Sequence, residues 1–261
     1  MSKNRLYFGT NLKMYKDIRS TVEYLTELER LTRDISRDNM ELFVIPSYTS
    51  LSDAVKCVDR RYIKLGAQNM CWKEKGQFTG EISPLMLKEL ELDIVEIGHS
   101  ERRHIFGESN EEENRKVLSA LDHGFTALLC VGETLKEKEY RTSDEVLKTQ
   151  LKIGFANVKP EYADRVRVAY EPVWAIGENG IPAPVDYAAE KHQVIKNTLR
   201  EIFGDAGDKI PVLYGGSVNR SNADELIVQP SIDGLFVGRS AWNADSFDEL
   251  IRSAMKSFFG A

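Results

Sequence analysis

The sequence predicts a single parallel α/β domain over residues 1–261, in which eight strand–helix units close into a (β/α)8 barrel. Short apolar runs alternate with longer amphipathic stretches along the whole chain, which indicates strands that alternate with helices. No linker, low-complexity tract or Pro/Gly-rich seam interrupts them, which indicates one domain. The alternation also allows an open doubly wound sheet, but eight units in 261 residues favour the closed barrel.

The eight predicted strands are nearly continuous apolar runs. Such runs are typical of parallel strands, because helices cover both faces of the sheet. The strands are predicted at Leu6–Gly9, Leu42–Pro46, Ile63–Gln68, Ile94–Gly98, Ala127–Val131, Val166–Glu171, Val212–Tyr214 and Gly234–Val237. Between the first two, apolar residues recur every three or four positions from Val22 to Ile35, which predicts a helix with one buried face.

Local signals predict where several helices begin. Ser83-Pro84 combines a capping hydroxyl with a proline at the first helical position. Asn110 precedes Glu113 by three residues, and Ser246 precedes Glu249 by the same spacing. Both pairs resemble capping boxes, so we expect a helix to follow each of them.

The composition excludes several classes of protein. The chain has 35 Lys and Arg against 41 Asp and Glu, which gives a net charge of −6. This balance provides no overall positive charge to attract nucleic acid or acidic membranes. Cys57, Cys71 and Cys130 are too few for a disulfide framework, and no pair has zinc-ligand spacing. The sequence contains no secretion leader and no run of ~20 apolar residues. We therefore expect reduced thiols and a cytoplasmic location.

Polar and glycine-rich segments follow five of the predicted strands. They are Asn11-Leu12-Lys13, Gly98–Arg103, Tyr170–Gly177, Tyr214–Ser217 and Gly238–Ser240. In a barrel of this kind the carboxyl ends of all strands open on one mouth, where ligands bind. The segments therefore bring a lysine, a histidine, a glutamate and glycine-rich turns to the same place.

Each of these residues also has an ordinary structural explanation. Lys13 could be a surface lysine, His99 a hydrogen-bonded structural histidine, and the glycines plain turns. Glu171 is harder to explain in this way, because it ends an apolar strand and is followed by Pro172. Their joint occurrence favours a site with a base, an electrophile, a cation and a backbone cradle for phosphate.

Longer motifs in the same places resemble one family. The matching segments are Asn11–Met14, Gly66–Asn69, Phe78–Glu81, Gly98–Arg103, Ala169–Gly177 and Tyr214–Asn219. On these segments the chain resembles the triosephosphate isomerase family over essentially its whole length. The resemblance implies a TIM barrel, a small phosphorylated sugar as substrate, no metal or cofactor, and a homodimer.

The resemblance also implies a role for each catalytic candidate. Glu171 would be the base that moves a proton between adjacent carbons, and His99 would stay neutral and polarise the carbonyl. Lys13 would place a fixed positive charge beside the developing oxyanion. Glu101 would pair with Lys13, and Asn11 would add a hydrogen bond.

A lid and a set of backbone N–H groups are implied at the phosphate end. The lid would span residues 172–183 and close over the substrate. The backbone N–H groups of Gly177, Ser217, Gly238 and Arg239 would hold the phosphate. We expect Arg239 to avoid positive φ, so that its N–H still faces the phosphate.

Several positions depart from the usual pattern of the family. Leu12 stands where the family has tryptophan, Tyr15 where it has asparagine, and Arg239 where it has a second glycine. The lid tip at residues 177–182 is also rewritten. This lid tip and the segment Ile232–Asn243 resemble the L-erythrulose-1-phosphate isomerase branch of the family.

Two alternatives remain open at this point. The chain could act on the three-carbon substrate, as triosephosphate isomerase does, or it could be a non-catalytic phosphate-binding barrel. A metal hydrolase would use a His-x-His pair, and His99, His104, His123 and His192 offer none. We therefore expect metal-free proton transfer, with L-erythrulose 1-phosphate converted to D-erythrulose 4-phosphate.

Overall fold

A closed barrel of eight parallel strands forms the centre of the protein, as the sequence predicts. The structure, a computed structural model, describes residues 5–177 and 180–260. The strands are β1 (Leu6–Asn11), β2 (Met40–Ile45), β3 (Lys64–Ala67), β4 (Ile94–Ile97), β5 (Thr126–Val131), β6 (Val166–Tyr170), β7 (Val212–Tyr214) and β8 (Gly234–Phe236). Each pairs in parallel with the next, and β8 returns to β1 through Tyr7 and Gly234. Each predicted strand overlaps an observed one.

Helices follow the strands and cover the outside of the barrel. Those in the described ranges are α1 (Ile18–Thr32), α2 (Tyr48–Cys57), α3 (Pro84–Glu89), α4 (Ser100–His104), α5 (Asn110–Asp122), α6 (Leu135–Glu139), α7 (Ser143–Gly154), α8 (Val185–Phe203), α9 (Ala223–Ile227) and α10 (Ala244–Phe259). Over those same ranges, none is long and apolar enough to cross a membrane.

The helix starts confirm one sequence prediction and correct two. Ser83 caps α3 by accepting a hydrogen bond from the Leu85 N–H, as predicted. The box predicted at Asn110 is wrong by one residue, because Ser109 caps α5 and exchanges hydrogen bonds with Glu112. Asn110 instead accepts a hydrogen bond from Arg103.

The box predicted at Ser246 is also wrong, because the helix begins earlier than the spacing suggested. The extended residue Asn243 caps α10 and accepts the N–H of Ser246. Asparagine is among the strongest N-cap residues, so Ser246 becomes part of the first helical turn.

Two apolar clusters form the core. One lies between the strands and the helices. The other fills the barrel with Phe43, Ile45, Ile94, Leu128, Cys130, Ala169, Leu213 and Phe236. The filling is tight, since a Cβ on Gly9 would lie 2.0 Å from the Phe43 ring. The barrel is therefore a packed core rather than a pore, and a ligand has room only at its mouth.

Candidate active site

The mouth of the barrel brings together four predicted catalytic residues that are far apart in sequence. Asn11 ends β1, Lys13 follows it, His99 follows β4 and Glu171 follows β6. The His99 Nε2 atom lies 3.5 Å from the Glu171 Oε2 atom. The fifth residue, Glu101, accepts a 2.7 Å hydrogen bond from Lys13 Nζ. The structure therefore joins all five in one cluster.

A tight turn after β1 positions Lys13. Asn11 Oδ1 accepts the backbone N–H of Lys13 at 2.7 Å, and Gln68 Nε2 donates to the Lys13 carbonyl at 2.8 Å. Lys13 has φ 49°, a left-handed conformation that costs free energy for a non-glycine residue. Such a conformation persists only where the surroundings hold it, so these hydrogen bonds fix the direction of the lysine.

The charge of Lys13 is maintained by its acidic neighbours. Burial by itself would lower the pKa of Lys13. The hydrogen bond and charge of Glu101, followed by the charge of Glu171, raise the pKa above its ordinary value. Lys13 therefore supplies a permanent positive charge at the mouth.

His99 caps the short helix α4 with its side chain. Its Nδ1 atom accepts the backbone N–H of Glu101 at 3.2 Å. A ring nitrogen that accepts a hydrogen bond carries no proton, so the neutral ring has its proton on Nε2. That N–H is the one that faces Glu171 across the mouth.

Glu171 is buried at the end of β6, and glycines make room for it. Its backbone N–H donates to the Val131 carbonyl at 2.8 Å, which extends the strand ladder by one bond. A Cβ on Gly215 would lie 2.7 Å from Glu171 Cγ, and one on Gly132 would lie 1.9 Å from the Glu171 carbonyl oxygen. Both positions therefore require glycine if the carboxylate is to stand where it does.

The pKa of Glu171 is raised, chiefly because burial disfavours the charged form. The positive charge of Lys13 opposes this shift. Among the groups in the described ranges, no hydrogen-bond partner reaches Glu171 Oε2. A buried carboxylate oxygen that lacks a donor is poised to take a proton from a ligand.

The predicted phosphate contacts lie at the neighbouring ends of β6, β7 and β8. Ser217 follows β7, Gly238 and Arg239 follow β8, and Gly177 has φ +86° in the predicted lid. Arg239 is absent from the non-glycine residues with positive φ over the described ranges, which confirms that prediction. Of the rewritten lid tip, residues 178–179 lie outside the described residues.

A buried carboxylate anchors the start of the predicted lid. Val173–Ala175 forms a short 3-10 helix in which Trp174 Nε1 donates to Glu133 Oε1 at 2.8 Å. Tyr187 also donates to that oxygen, and Tyr170 reaches the same carboxylate. Glu133 itself is wholly buried.

Sequence reasoning missed three polar residues of this site. Gln68 donates to Asn11 Oδ1 at 3.0 Å, Glu96 accepts from Asn11 Nδ2 at 2.7 Å, and Glu133 anchors the lid. Glu96 could have been recognised from the sequence, because it is an acidic residue inside an otherwise apolar strand. The contacts of Gln68 and Glu133 depend on chain segments that only the fold brings close.

The departure at Leu12 lies in the core rather than in the mouth. Leu12 is 1% exposed and packs between the strands and the helices. Trp242 reaches this region, since its Nε1 atom donates to the Asn11 carbonyl at 3.0 Å. Leu12 therefore affects the mouth only through the turn that it supports.

One carboxylate oxygen each from Glu96 and Glu171 and one ring nitrogen of His99 lie within 4.8 Å of one another. Among the residues that the structure describes, this is the one group spaced for a metal ion. Burial raises the pKa of both carboxyl groups and so disfavours the doubly ionised pair that a metal ion would require.

A buried carboxylate that faces an imidazole N–H, beside a fixed lysine, at the mouth of a (β/α)8 barrel is an arrangement that suits proton transfer. The chain belongs to the triosephosphate isomerase family, whose family model matches residues 6–254. It is therefore an isomerase.

Curated relatives carry two different names. An L-erythrulose-1-phosphate isomerase from Rhizobium etli is 45% identical, over 94% of this chain and 91% of the relative. One from Rhizobium meliloti is 44% identical, over 98% of this chain and all of the relative. A triosephosphate isomerase from Fusobacterium nucleatum is also 44% identical, over 95% of this chain and 98% of the relative. Overall identity does not separate the two names.

Proposed function

We propose that the protein isomerises a phosphorylated ketose by moving a proton between adjacent carbons through an enediolate. The observation that carries this proposal is the pair formed by Glu171 Oε2 and His99 Nε2, 3.5 Å apart and both buried. A substrate with a carbonyl beside a C–H bond would present its proton to the first atom and its oxygen to the second.

The chain of proton movements uses few groups. Glu171 takes the proton from the carbon beside the carbonyl, and the carbonyl oxygen gains negative charge. The His99 N–H and the Lys13 ammonium stabilise that charge. The hydroxyl proton of the reacting carbon passes to the other oxygen, and Glu171 returns its own proton to the former carbonyl carbon. No bond to a metal or cofactor is needed.

Asn11 and Glu101 would act through the same centre. The amide nitrogen of Asn11 has a second hydrogen beyond the one donated to Glu96, and it can donate to a substrate oxygen. Glu101 holds Lys13 by the 2.7 Å ion pair. Backbone N–H groups of Gly177, Ser217, Gly238 and Arg239 would bind the phosphate.

We further propose L-erythrulose 1-phosphate as the preferred substrate and D-erythrulose 4-phosphate as the product. The relatives from two Rhizobium species carry that name. The segment at residues 177–182, the tip of the predicted lid, departs in sequence from the usual family pattern. The four-carbon substrate adds one CH2OH group to the reacting carbon, so it needs only extra room and one polar contact.

The experiment compares kcat/KM for L-erythrulose 1-phosphate and glyceraldehyde 3-phosphate under the same conditions. We expect the four-carbon substrate to be favoured, because the smaller one leaves a polar contact unmade. A preference of about tenfold for glyceraldehyde 3-phosphate would instead support triosephosphate isomerase activity. The name of the relative from Fusobacterium nucleatum agrees with that outcome.

Two further measurements test the mechanism. Turnover in D2O should place deuterium on the product, and EDTA should not inhibit. Loss of turnover with EDTA would contradict metal-free chemistry.

A non-catalytic phosphate-binding barrel is the candidate from another class. Phosphate binding alone needs neither a buried base nor an imidazole that faces it. The raised pKa of Glu171 costs folding free energy at neutral pH, which a pure binding site would have no reason to bear. Absence of turnover with both substrates, together with binding of inorganic phosphate, would support this alternative.

We also propose a cytoplasmic homodimer. Large apolar side chains are exposed beside the site, including Met14 at 95%, Ile105 at 71% and Phe106 at 65%. Phe78, at the tip of the loop after β3, is exposed as well. A second copy that covers these side chains would remove apolar surface from water.

A further inference from the structure

Strand β4 contains a glutamate, Glu96, that has no role in the proposed function. Glu96 lies in the middle of β4, between two buried aliphatic residues, and its side chain is wholly buried. Placing an ionised carboxylate in such surroundings costs several kcal/mol or more unless it is paired. A glutamate at this position therefore needs an explanation.

The contacts of Glu96 connect it to residues of the candidate active site. Its Oε2 atom accepts a 2.7 Å hydrogen bond from Asn11 Nδ2. Its Oε1 atom lies 3.7 Å from Cys130 Sγ on β5, which is a weak donor. One oxygen lies within 4.8 Å of a Glu171 oxygen. Among the described residues these contacts include no cation in an ion pair with Glu96.

The surroundings favour a proton on Glu96. Burial raises the pKa of Glu96 well above its ordinary value, and the charge of Glu171 raises it further. The Asn11 hydrogen bond and the charge of Lys13 act in the opposite direction. The titratable groups that face Glu96 are Glu171 at the end of β6, Lys13 after β1, His99 after β4 and Cys130 on β5. Two carboxyl groups so close in a dry space cannot both ionise easily, and Glu171 is the one that keeps the charge.

The Asn11 amide transmits the effect of Glu96 to Lys13. Its oxygen accepts from the Lys13 N–H and from Gln68, and its nitrogen donates to Glu96. These three hydrogen bonds fix the amide plane. The amide oxygen in turn holds Lys13 at its positive φ. Removing the acceptor on Glu96 would leave the buried Asn11 nitrogen unsatisfied and free the amide to turn.

We propose that Glu96 is a positioning residue that works as a neutral carboxylic acid and aims Lys13 at the substrate through Asn11. The oxygen Oε2 accepts from Asn11, and the O–H group is then on Oε1, beside Cys130, so that the acid adds no second negative charge near Glu171. This inference rests on the proposed function, in which Lys13 contacts the substrate. A glutamine would reproduce the neutral acid, and a leucine would only fill its volume.

The kinetic test uses Glu96→Gln, Glu96→Leu and a matched control, Glu41→Gln. Glu41 is equally buried but lies at the other end of the barrel, in ion pairs with Lys64 and Arg167. We expect Glu96→Gln to keep kcat and KM within about threefold. Glu96→Leu should raise KM about tenfold, with a smaller change in kcat, since a misdirected cation weakens binding in both ground and transition states. Glu41→Gln should lower the melting temperature without changing KM.

The pH dependence of kcat/KM tests whether Glu96 is charged. The acid limb of kcat/KM reports the pKa of the base in the free enzyme. Since Glu96 is neutral while Glu171 titrates, Glu96→Gln should move this limb by less than about half a pH unit. A downward shift of about one unit or more would show that Glu96 carries a charge in the parent, and would overturn the proposal.

Two readouts do not depend on turnover. Burial also raises the pKa of Glu113 to about 8, so the infrared spectrum of the parent is compared with that of Glu96→Gln. At neutral pH the difference between the two spectra should contain the carbonyl stretch of one protonated carboxylic acid. Inorganic phosphate should bind the parent and Glu96→Gln equally and Glu96→Leu more weakly. If the parent turns over neither substrate, the proposed function fails, while these readouts still decide on Glu96. A difference spectrum without such a band, or equal phosphate affinity in all three proteins, overturns the inference.

Discussion

The two halves of the barrel mouth are built in different ways. Around β1, β4 and β6, the candidate functional groups are side chains. Neighbouring groups hold them in place, as in the Lys13–Glu101 ion pair and the His99 cap. Around β7, β8 and the lid, the predicted phosphate contacts are backbone N–H groups, and Arg239 is exposed to solvent.

The difference explains where the sequence is free to change. A side chain that transfers a proton or carries a charge cannot be replaced without loss of that chemistry, and in the first half Lys13, His99 and Glu171 match the family motifs, although Leu12 and Tyr15 do not. A backbone N–H is supplied by any residue except proline, so Arg239 can stand in place of a glycine. The side chains of the first half therefore indicate the type of reaction. The backbone contacts of the second half do not identify the substrate.

The largest effect is expected in the side-chain half, from Glu171→Gln. The amide keeps the shape of Glu171 and loses the base, so kcat should fall by roughly 10²–10⁴-fold or more. Steady-state kinetics on the preferred substrate measures this, and an unchanged melting temperature shows that the fold is intact. A well-folded variant with kcat within about tenfold of the parent would refute the assignment of the base.

An intermediate effect is expected from shortening the loop that carries Phe78–Glu81. In the proposed dimer this loop reaches the neighbouring subunit near Lys13, so its loss should give monomers in which the lysine is poorly braced. We expect kcat/KM to fall by roughly 10²-fold, as small displacements of catalytic groups can cause.

Sedimentation and activity are measured together on the shortened protein and on Leu135→Asp. Leu135 is an exposed apolar residue on α6, outside the predicted interface, so its replacement should change neither property. A shortened protein that sediments as a monomer and retains full activity would contradict the prediction.

The smallest effect is expected in the backbone half, from Arg239→Ala. If only the backbone N–H of this residue binds phosphate, KM should change by less than about threefold. Arg220→Ala is the matched control, since it also removes one exposed positive charge, in this case one paired with Glu249. A tenfold rise in KM for Arg239→Ala alone would show that the guanidinium binds the phosphate, and the contrast between the two halves would weaken.

The predicted site was only partly complete. Glu171, His99, Lys13, Asn11 and Glu101 could be located because the carboxyl ends of parallel strands must share one mouth. Gln68 and Glu133 could not, because their roles are hydrogen bonds across 57 and 41 residues of chain. The capping boxes at Asn110 and Ser246 failed because an equally good cap residue, Ser109 or Asn243, begins each helix one to three residues earlier.

By itself, the sequence determined the number and order of the strands, because apolar periodicity and turn residues act locally. The structure adds helices beyond the predicted eight, with ten α-helices in the described ranges. The sequence also located the candidate reacting groups, since they follow the strand ends. Only the tertiary structure decided which groups are charged. Glu96 and Glu101 both lie in the segment around β4, yet one is wholly buried beside a second carboxylate and the other pairs with Lys13. The pKa of Glu96 is raised and that of Glu101 is lowered, because burial and neighbouring charge depend on chain segments that folding brings together.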